Sequence, residues 1–423
     1  MTDLETLGKN AREAAYSLVK YSKSDKNRAL ANAAEALREH CDEILQANRR
    51  DLDNGRSSGM SQGILDRLML NKERIDGMAD AILDVTRLPD PIGEVLSEDI
   101  RPNGLKIVKK RVPIGVIGII YEARPNVTSD AFALTFKSSN AVILKGGSDA
   151  IHSNMAIAGV LRKALKDSGF NENAIQLIEA TDHETTQAFM KMHDCVDVLI
   201  PRGSRRLIEA VVKNASVPVI ETGAGNCHIF LDETADVNKA VPIVFNAKTQ
   251  RIGVCNACES LVADRTVLPA VLVPVIRKLQ ERNVTCYADP ESLAVLRAAT
   301  DLHQELIQPA TEEDFGTEYL DYKISVKTVG SVEEAIQHIN HYSTKHSESI
   351  ITENPDHAAR FLNEVDSACV YWNASTRFTD GGQFGFGAEI GISTAKLHAR
   401  GPMGLKELTT SKYEITGNGQ IRK

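Results

Sequence analysis

The sequence predicts an α/β protein: a helical N-terminal segment, a doubly wound parallel sheet, a second α/β region, and a β-hairpin element shared by two distant stretches of chain. Three observations predict it. Apolar positions in the first ninety residues recur at helical spacing. From Val112 onward, short runs rich in Val and Ile alternate with helical segments. RPNGLKIVKKRV (101–112) and SKYEITGNGQIR (411–422) alternate polar and apolar positions as exposed strands do.

In the N-terminal part, Leu30, Ala33, Ala34, Leu37, Cys41, Ile44 and Leu45 form one stripe, with Ser24 as its candidate N-cap. Leu65, Leu68, Ile75, Met78 and Ile82 form a further helical pattern, which LPDPIG (88–93) ends. Five runs follow: VPIGVIGIIYE (112–122), AVILKGG (141–147), AIQLIEA (174–180), VDVLIPRG (196–203) and VPVIETG (217–223), separated by helical segments of which the clearest start at Asn126, Ser148 and Ser204. Runs apolar on both faces and alternating with helices indicate a parallel sheet covered on both sides. Right-handed crossovers then make it doubly wound. The second α/β region, about 226–373, has runs at CHIFLDE, ESLVADR and YKISVKTV. Asn103-Gly104 predicts a type I′ hairpin turn.

Composition narrows the function. Lys and Arg number 49 against 57 Asp and Glu, a net charge of −8, which disfavours a dedicated nucleic-acid binder. No apolar run approaches the roughly 20 residues of a membrane span. The start, MTDLETLGKN, lacks the layout of a signal peptide, and seven scattered cysteines do not form a disulfide framework. The expectation is a cytoplasmic protein of a reducing compartment.

The fingerprint G-x-G-x-x-G is absent. Two strand-to-helix turns are candidate phosphate sites: Lys145, Gly146, Gly147 and Ser148, and Arg202, Gly203 and Ser204. Free N–H groups at a helix start, together with a nearby cation, attract anions. Cys255 and Cys258 form a CxxC, yet no further ligands follow at zinc spacing, and His338, His341 and His346 read as one helix and its end. No metal is expected. The alternative is one nucleophilic cysteine, activated by positive potential from Lys248 or Arg251; composition does not say which cysteine reacts. Glu221, at a strand end, is a candidate general base or a cap. Asn126, opening a helix, is a candidate oxyanion donor or a cap.

An Asn after a strand, a Lys with a Gly-Ser turn, a Glu-x-Gly strand end and a Cys about 35 residues later resemble the aldehyde dehydrogenase superfamily. YEARPNVTSDAF, ILKGGSDA, PRGSRRLI, VIETGAGNCH, AKTQRIGVCNACESL, VEEAIQHINHYSTKHSESI, VYWNASTRFTDGGQFGFGAEIGIST and KLHARGPMGLKELTT are similar to its branch of acyl-phosphate reductases. The resemblance implies NADPH-dependent reduction of L-glutamate 5-phosphate to L-glutamate 5-semialdehyde with release of phosphate, the second step of proline biosynthesis. It implies Cys255 as nucleophile, Asn126 and the Cys255 N–H as oxyanion hole, and Glu221 at the position of the base of hydrolytic relatives. Lys145 and Ser204 match positions that hold the adenosine ribose and pyrophosphate, and Glu318 one that holds the nicotinamide ribose. NAD-preferring relatives carry a Glu where this chain has Ser148, so NADP is expected. Gly253 stands where many relatives have Gln. Arg124, Lys137, Lys248, Arg251 and Arg377 are candidates for the phosphate and α-carboxylate of the substrate.

The expected division is a cofactor-binding domain over 1–97 and 115–225 with part of 374–397, a catalytic domain over 226–373, and an oligomerisation element of 98–114 with 398–423. A homo-oligomer is expected, and glutamate 5-kinase is a candidate partner. The other readings are a hydrolytic semialdehyde dehydrogenase of the same fold, a nucleotide-binding regulatory protein and a zinc-binding interaction protein.

Overall fold

The structure is a computed structural model that describes residues 3–422; residues 1, 2 and 423, which fall at the outer ends of the expected first and third regions, lie outside the described residues. The N-terminal part forms five helices: α1 (Leu4–Leu18), α2 (Lys23–Glu39), α3 (Cys41–Ser57), α4 (Gln62–Leu68) and α5 (Lys72–Arg87). The cap of α2 is Ser22 rather than Ser24, which lies inside the helix. A capping box needs a carboxylate three residues on, and Ser22 has Asp25 there: the Asp25 N–H donates to Ser22 Oγ, and the Ser22 N–H to Asp25. The predicted stripe from Leu30 to Leu45 is split at His40 (φ −95°, ψ 20°), so Cys41, Ile44 and Leu45 belong to α3. The pattern from Leu65 to Ile82 is likewise two helices, the second capped by Asn71. At His40 the kink keeps both apolar faces on one core and leaves the periodicity unbroken, whereas Leu65 and Leu68 pack in a small separate cluster with Leu52 and Ala150.

Strands β1 (Val95–Ile100) and β2 (Lys106–Pro113) form a hairpin. Its turn is not the predicted type I′. The Gly104 N–H donates to the Arg101 carbonyl, Gly104 alone has positive φ (86°), and the Arg101 N–H donates to Leu105 O. Pro102, with φ fixed near −65°, starts a type I turn one residue earlier, and Gly104 supplies the left-handed bulge.

A four-stranded parallel sheet follows, with β3 (Val116–Tyr121), β4 (Ala141–Gly146), β5 (Ile175–Leu177) and β6 (Val198–Arg202) in the order β5-β4-β3-β6. Helices α6 (Asn126–Lys137), α7 (Ile151–Asp167) and α8 (His183–Phe189) make the crossovers, and α9 (Arg205–Asn214) follows β6. VPVIETG is not the predicted fifth strand. It meets β6 only at Val219–Leu199 before Thr222 turns to bridge Ser393. Pro218 lacks an N–H to extend the ladder.

The second region is a seven-stranded parallel sheet. Its strands are β7 (Cys227–Leu231), β8 (Cys258–Asp264), β9 (Thr285–Ala288), β10 (Ile307–Pro309), β11 (Lys323–Val329), β12 (Ser347–Ile351) and β13 (Cys369–Trp372), in the order β10-β9-β11-β8-β7-β12-β13. The sequence signalled only β7, β8 and β11. β9 and β10 are very short, and β12 begins Ser-Glu-Ser, polar residues that are wholly buried. β14 (Ile392–Ser393) pairs with β15 (Gly401–Pro402), and β16 (Thr409–Thr416) pairs antiparallel with β2 to make a three-stranded ribbon. The ribbon thus takes Val95–Ile100, partly ahead of the expected start at 98. Ahead of β16, Ala399, Met403, Leu405 and Leu408 pack in the core of the four-stranded sheet. Among the described residues no helix is long and apolar enough to cross a membrane.

Candidate active site

Two sheet edges meet at the site. The carboxyl ends of β3, β4 and β6 deliver Arg124, Lys145 and Arg202, and the turn before β8 delivers Cys255. That turn is tightly built. Cys227 Sγ lies 3.2 Å from the Cys255 carbonyl, to which it donates. An added Cβ on Gly225 would stand 2.5 Å from Cys255 Cα. Buried Asn256 donates to the carbonyls of Thr379 (2.9 Å) and Arg377 (3.4 Å), and Thr376 Oγ1 donates to the Asn256 carbonyl. Segment 375–379 is thereby stapled to the Cys255 turn.

The CxxC resolves into two environments. Cys258 is fully buried in the core of the larger sheet, where burial raises its thiol far above the ordinary range, whereas Cys255 is partly exposed. All seven cysteines are free, and among the described residues no group of three or more His, Cys, Asp or Glu side chains is arranged to hold a metal. Burial pushes the Cys255 thiol up to about 11; Arg202 draws it back, and the carboxylates of Glu389 and Glu318 add to the rise. The leading cation on Cys255 is therefore Arg202 rather than Lys248, with Arg124 and Arg377 also coupled to its charge. Below its pKa the thiolate fraction grows tenfold per pH unit, so alkylation of Cys255 by iodoacetamide should accelerate about tenfold per unit between pH 7 and 10. Arg202→Met should slow it at every pH. Peptide mapping of the labelled cysteine checks both, and a plateau already reached at pH 8 would refute the raised pKa.

The predicted cations divide. Arg124 and Arg251 are exposed and make no hydrogen bond or ion pair to another described side chain; exposed Arg67 and half-buried Arg202 make none either. Although the residue as a whole is exposed, partial desolvation of its guanidinium lowers the pKa of Arg124, and the like charges of Arg202, Arg67 and Arg251 lower it further. These four guanidiniums thus converge near Cys255, whose charge also acts on Arg124. Arg377 joins them but is held by Gln250 (3.0 Å) and Asn256. Lys137 and Lys248 do not belong. Lys137 closes the far end of α6, fully buried, donating to Asn27 and to Thr86 O, with burial lowering it to about 8. Lys248 is ion-paired with Glu259 at 2.5 Å, both side chains wholly buried. Sequence places a lysine in a motif but does not say which way its side chain points.

Asn126 opens α6, exposed, and donates its amide to Asp130 (2.9 Å), whose carboxyl burial pushes up to about 6. Glu221 is half-buried and has no hydrogen-bond or ion-pair partner among the described side chains. Glu318 accepts from the Gly225 N–H at 2.7 Å and so sits beside the Cys255 turn. Lys145 is buried and donates only to Gly146 O, with burial lowering its pKa, while Gly147 and Ser148 open the helical turn beyond it. The second predicted anion turn is already filled. Glu122 accepts from the Ser204 N–H (2.7 Å) and from Ser204 Oγ (2.9 Å), and a Cβ on Gly203 would meet that carboxylate. The sequence reading passed over Glu122, Glu389 and Arg67. Glu122 and Glu389 lie within quoted motifs, whereas nothing in the local pattern marks Arg67.

Comparison with known proteins follows this geometry. The profile of the aldehyde dehydrogenase family matches residues 1–316. The chain belongs to the aldehyde dehydrogenase family. It is 55% identical over 423 residues, covering 100% of both chains, to the gamma-glutamyl phosphate reductase of Lachnospira eligens. The crystal structure of gamma-glutamyl phosphate reductase from Thermotoga maritima superposes with a TM-score of 0.96 at 47% identity, covering 100% of each chain. An acetylating aldehyde dehydrogenase from Geobacillus thermoglucosidasius, 16% identical with a TM-score of 0.69 over 99% of this chain and 97% of that one, shares the fold. The family resemblance and the α/β fold read from the motifs are borne out.

Proposed function

We propose that the protein reduces L-glutamate 5-phosphate to L-glutamate 5-semialdehyde with release of phosphate, through a thioester on Cys255. The observation that carries this is the cluster of Arg67, Arg124, Arg202 and Arg251 near a partly exposed cysteine, none of the four forming an ion pair with a described carboxylate, although Glu389 and Asp130 act on Arg202 from further off. Like charges this close need an anion between them, and an acyl phosphate with an α-carboxylate supplies two. The relatives of similar sequence carry the matching name.

The Cys255 thiolate attacks the acyl carbon, the carbon–oxygen bond to phosphate breaks, and phosphate leaves with the electron pair. The oxyanion is held by the Cys255 N–H and by Asn126 once its amide turns from Asp130; losing one such donor typically costs about 2.7–4 kcal/mol of barrier. Glu221 is assigned no step, because reduction needs no activated water.

The family uses a nicotinamide cofactor, and the residues fit one. Lys145 is a buried cation with no carboxylate partner, beside the Gly146–Gly147–Ser148 turn, and Glu318 keeps one carboxylate oxygen free of the Gly225 N–H. Bound there, the dinucleotide supplies hydride to the thioester carbon. Lys145 and the uncharged Ser148 favour the 2′-phosphate of NADP. Gly203 and Ser204 serve the pyrophosphate only if Glu122 withdraws. In this reading the four-stranded sheet binds cofactor, the seven-stranded sheet carries the nucleophile, and the ribbon, with Val95, Ile100, Tyr413 and Ile415 exposed, pairs subunits.

The test runs the reaction backwards: NADP⁺ reduction with glutamate semialdehyde, with and without inorganic phosphate, on wild type and Cys255→Ser. Phosphate-dependent turnover that the substitution lowers by at least about a thousandfold is the expected result. Turnover indifferent to phosphate would instead identify a hydrolytic dehydrogenase with Glu221 as its base.

A further inference from the structure

The acyl-phosphate reading leaves open which cation takes the leaving group, and the best-placed side chain comes from neither sheet. Arg67 lies in the last turn of α4, in the N-terminal helical segment. We propose that Arg67 binds the phosphate of the acyl phosphate and that α4 is thereby a wall of the active site.

Four observations support this. First, the guanidinium lies against the nucleophile's own turn: a Cβ added at Gly253, two residues before Cys255, would meet Arg67 Nη2 at 3.2 Å. A glycine at 253 leaves room for that approach. Second, Arg67 is not neutralised within its own helix. The neighbouring carboxylate, Asp66, is taken by Arg74, which donates to Asp66 Oδ1 at 3.0 Å and also to the carbonyls of Asp66 and Met69. Third, the end of α4 is fixed rather than loose. Buried Asn48 donates to Leu68 O and accepts from the Leu70 N–H, both at 2.8 Å, and donates to Ser153 Oγ at 3.0 Å. Leu68 is fully buried and packs with Leu52 and Ala150. Two hydrogen bonds that bracket the helix end, one residue from Arg67, limit where the guanidinium can go. Fourth, Arg67 is close enough to Arg124 to act on its charge, so an anion placed between them relieves a repulsion present in the free protein.

Position along the substrate decides between its two anionic ends. The phosphate oxygen is bonded to the very carbon that Cys255 Sγ attacks, whereas the α-carboxylate is removed from that carbon by three further carbons. We therefore assign the cation beside Gly253, two residues before Cys255, to the end of the substrate next to the attacked carbon. In the forward direction it stabilises the charge that grows on the departing oxygen as the carbon–oxygen bond breaks. In the reverse direction it holds inorganic phosphate while an oxygen of that phosphate attacks the thioester carbon and the carbon–sulfur bond returns its electron pair to Cys255.

The experiment measures KM for phosphate and KM for glutamate semialdehyde separately, in NADP⁺ reduction by wild type, Arg67→Lys and Arg67→Met. Removing one charge-assisted hydrogen-bonding group predicts a rise in phosphate KM of about ten- to hundredfold for Arg67→Met. Arg67→Lys, which keeps the charge without the planar fork, should rise less, and semialdehyde KM should stay within about twofold in both. A rise in semialdehyde KM with phosphate KM unchanged would overturn the assignment and place Arg67 on the α-carboxylate. No change in either would make Arg67 a solvated surface cation. Wild-type turnover independent of phosphate would bring down the acyl-phosphate reading itself, so the two failures are distinguishable.

Discussion

Gly225→Ala is expected to cut turnover about a hundredfold or more while the chain stays folded. The new Cβ would stand 2.5 Å from Cys255 Cα and nearer still to the Cys255 carbonyl group. Carbon atoms pack at about 3.5–4.0 Å, and the carbonyl group is nearer than the Cα, so one of the two backbones must move by more than about 1 Å. A displacement of that size at a reacting group costs on the order of a hundredfold in rate. The turn cannot absorb it elsewhere, because the Cys255 carbonyl also accepts from Cys227 and the next residue, Asn256, is stapled to segment 375–379. The shift would reach Glu318 too, through its bond to the Gly225 N–H. Steady-state kcat with circular dichroism as the folding control checks this, and kcat within threefold of wild type would show that the turn is softer than its packing implies.

The second large effect is on stability. Lys248 and Glu259 are wholly buried and face each other at 2.5 Å, and Glu259 also accepts from the Leu320 N–H. Burial pushes Glu259 up to about 7 against the opposing pull of Lys248. Removing one partner leaves the other charge buried alone, so Lys248→Met should destabilise by about 3–5 kcal/mol. Replacing both, as Lys248→Met with Glu259→Leu, should restore most of that stability, since an apolar pair of similar volume avoids the desolvation cost of two ions. Urea unfolding of the two variants measures it. A single substitution costing under about 1 kcal/mol would mean that water reaches the pair.

Much of this was legible in the chain. The helical character of the N-terminal segment (though not its division into five helices), the strands of the smaller sheet and the hairpin follow from periodicity and turn chemistry, because these depend on neighbours a few residues apart. The errors were local rules overridden by a better local rule: Ser22 with Asp25 outcompeted Ser24, and Pro102 moved the turn off Asn103-Gly104. β12 went unread because its Ser-Glu-Ser start is buried through partners distant in sequence, among them the His228 N–H and the Ser367 hydroxyl on Glu348. At the site, the motifs named Cys255, Asn126, Lys145 and Glu318 by type and order.

Sequence alone determined the family, the α/β layering and the candidate cysteine pair, since each rests on residue identity and spacing along one strand or helix. The resemblance had already picked Cys255 over Cys258; the tertiary structure supplied the physical difference, burial of Cys258, and withdrew Lys137 and Lys248 into carbonyl cages and ion pairs. It also filled the Ser204 turn with Glu122 and brought Arg67 across from α4 to Gly253. Charge acts through space over distances that chain order does not record, and a side chain's role follows from whatever carboxylate or backbone group reaches it first.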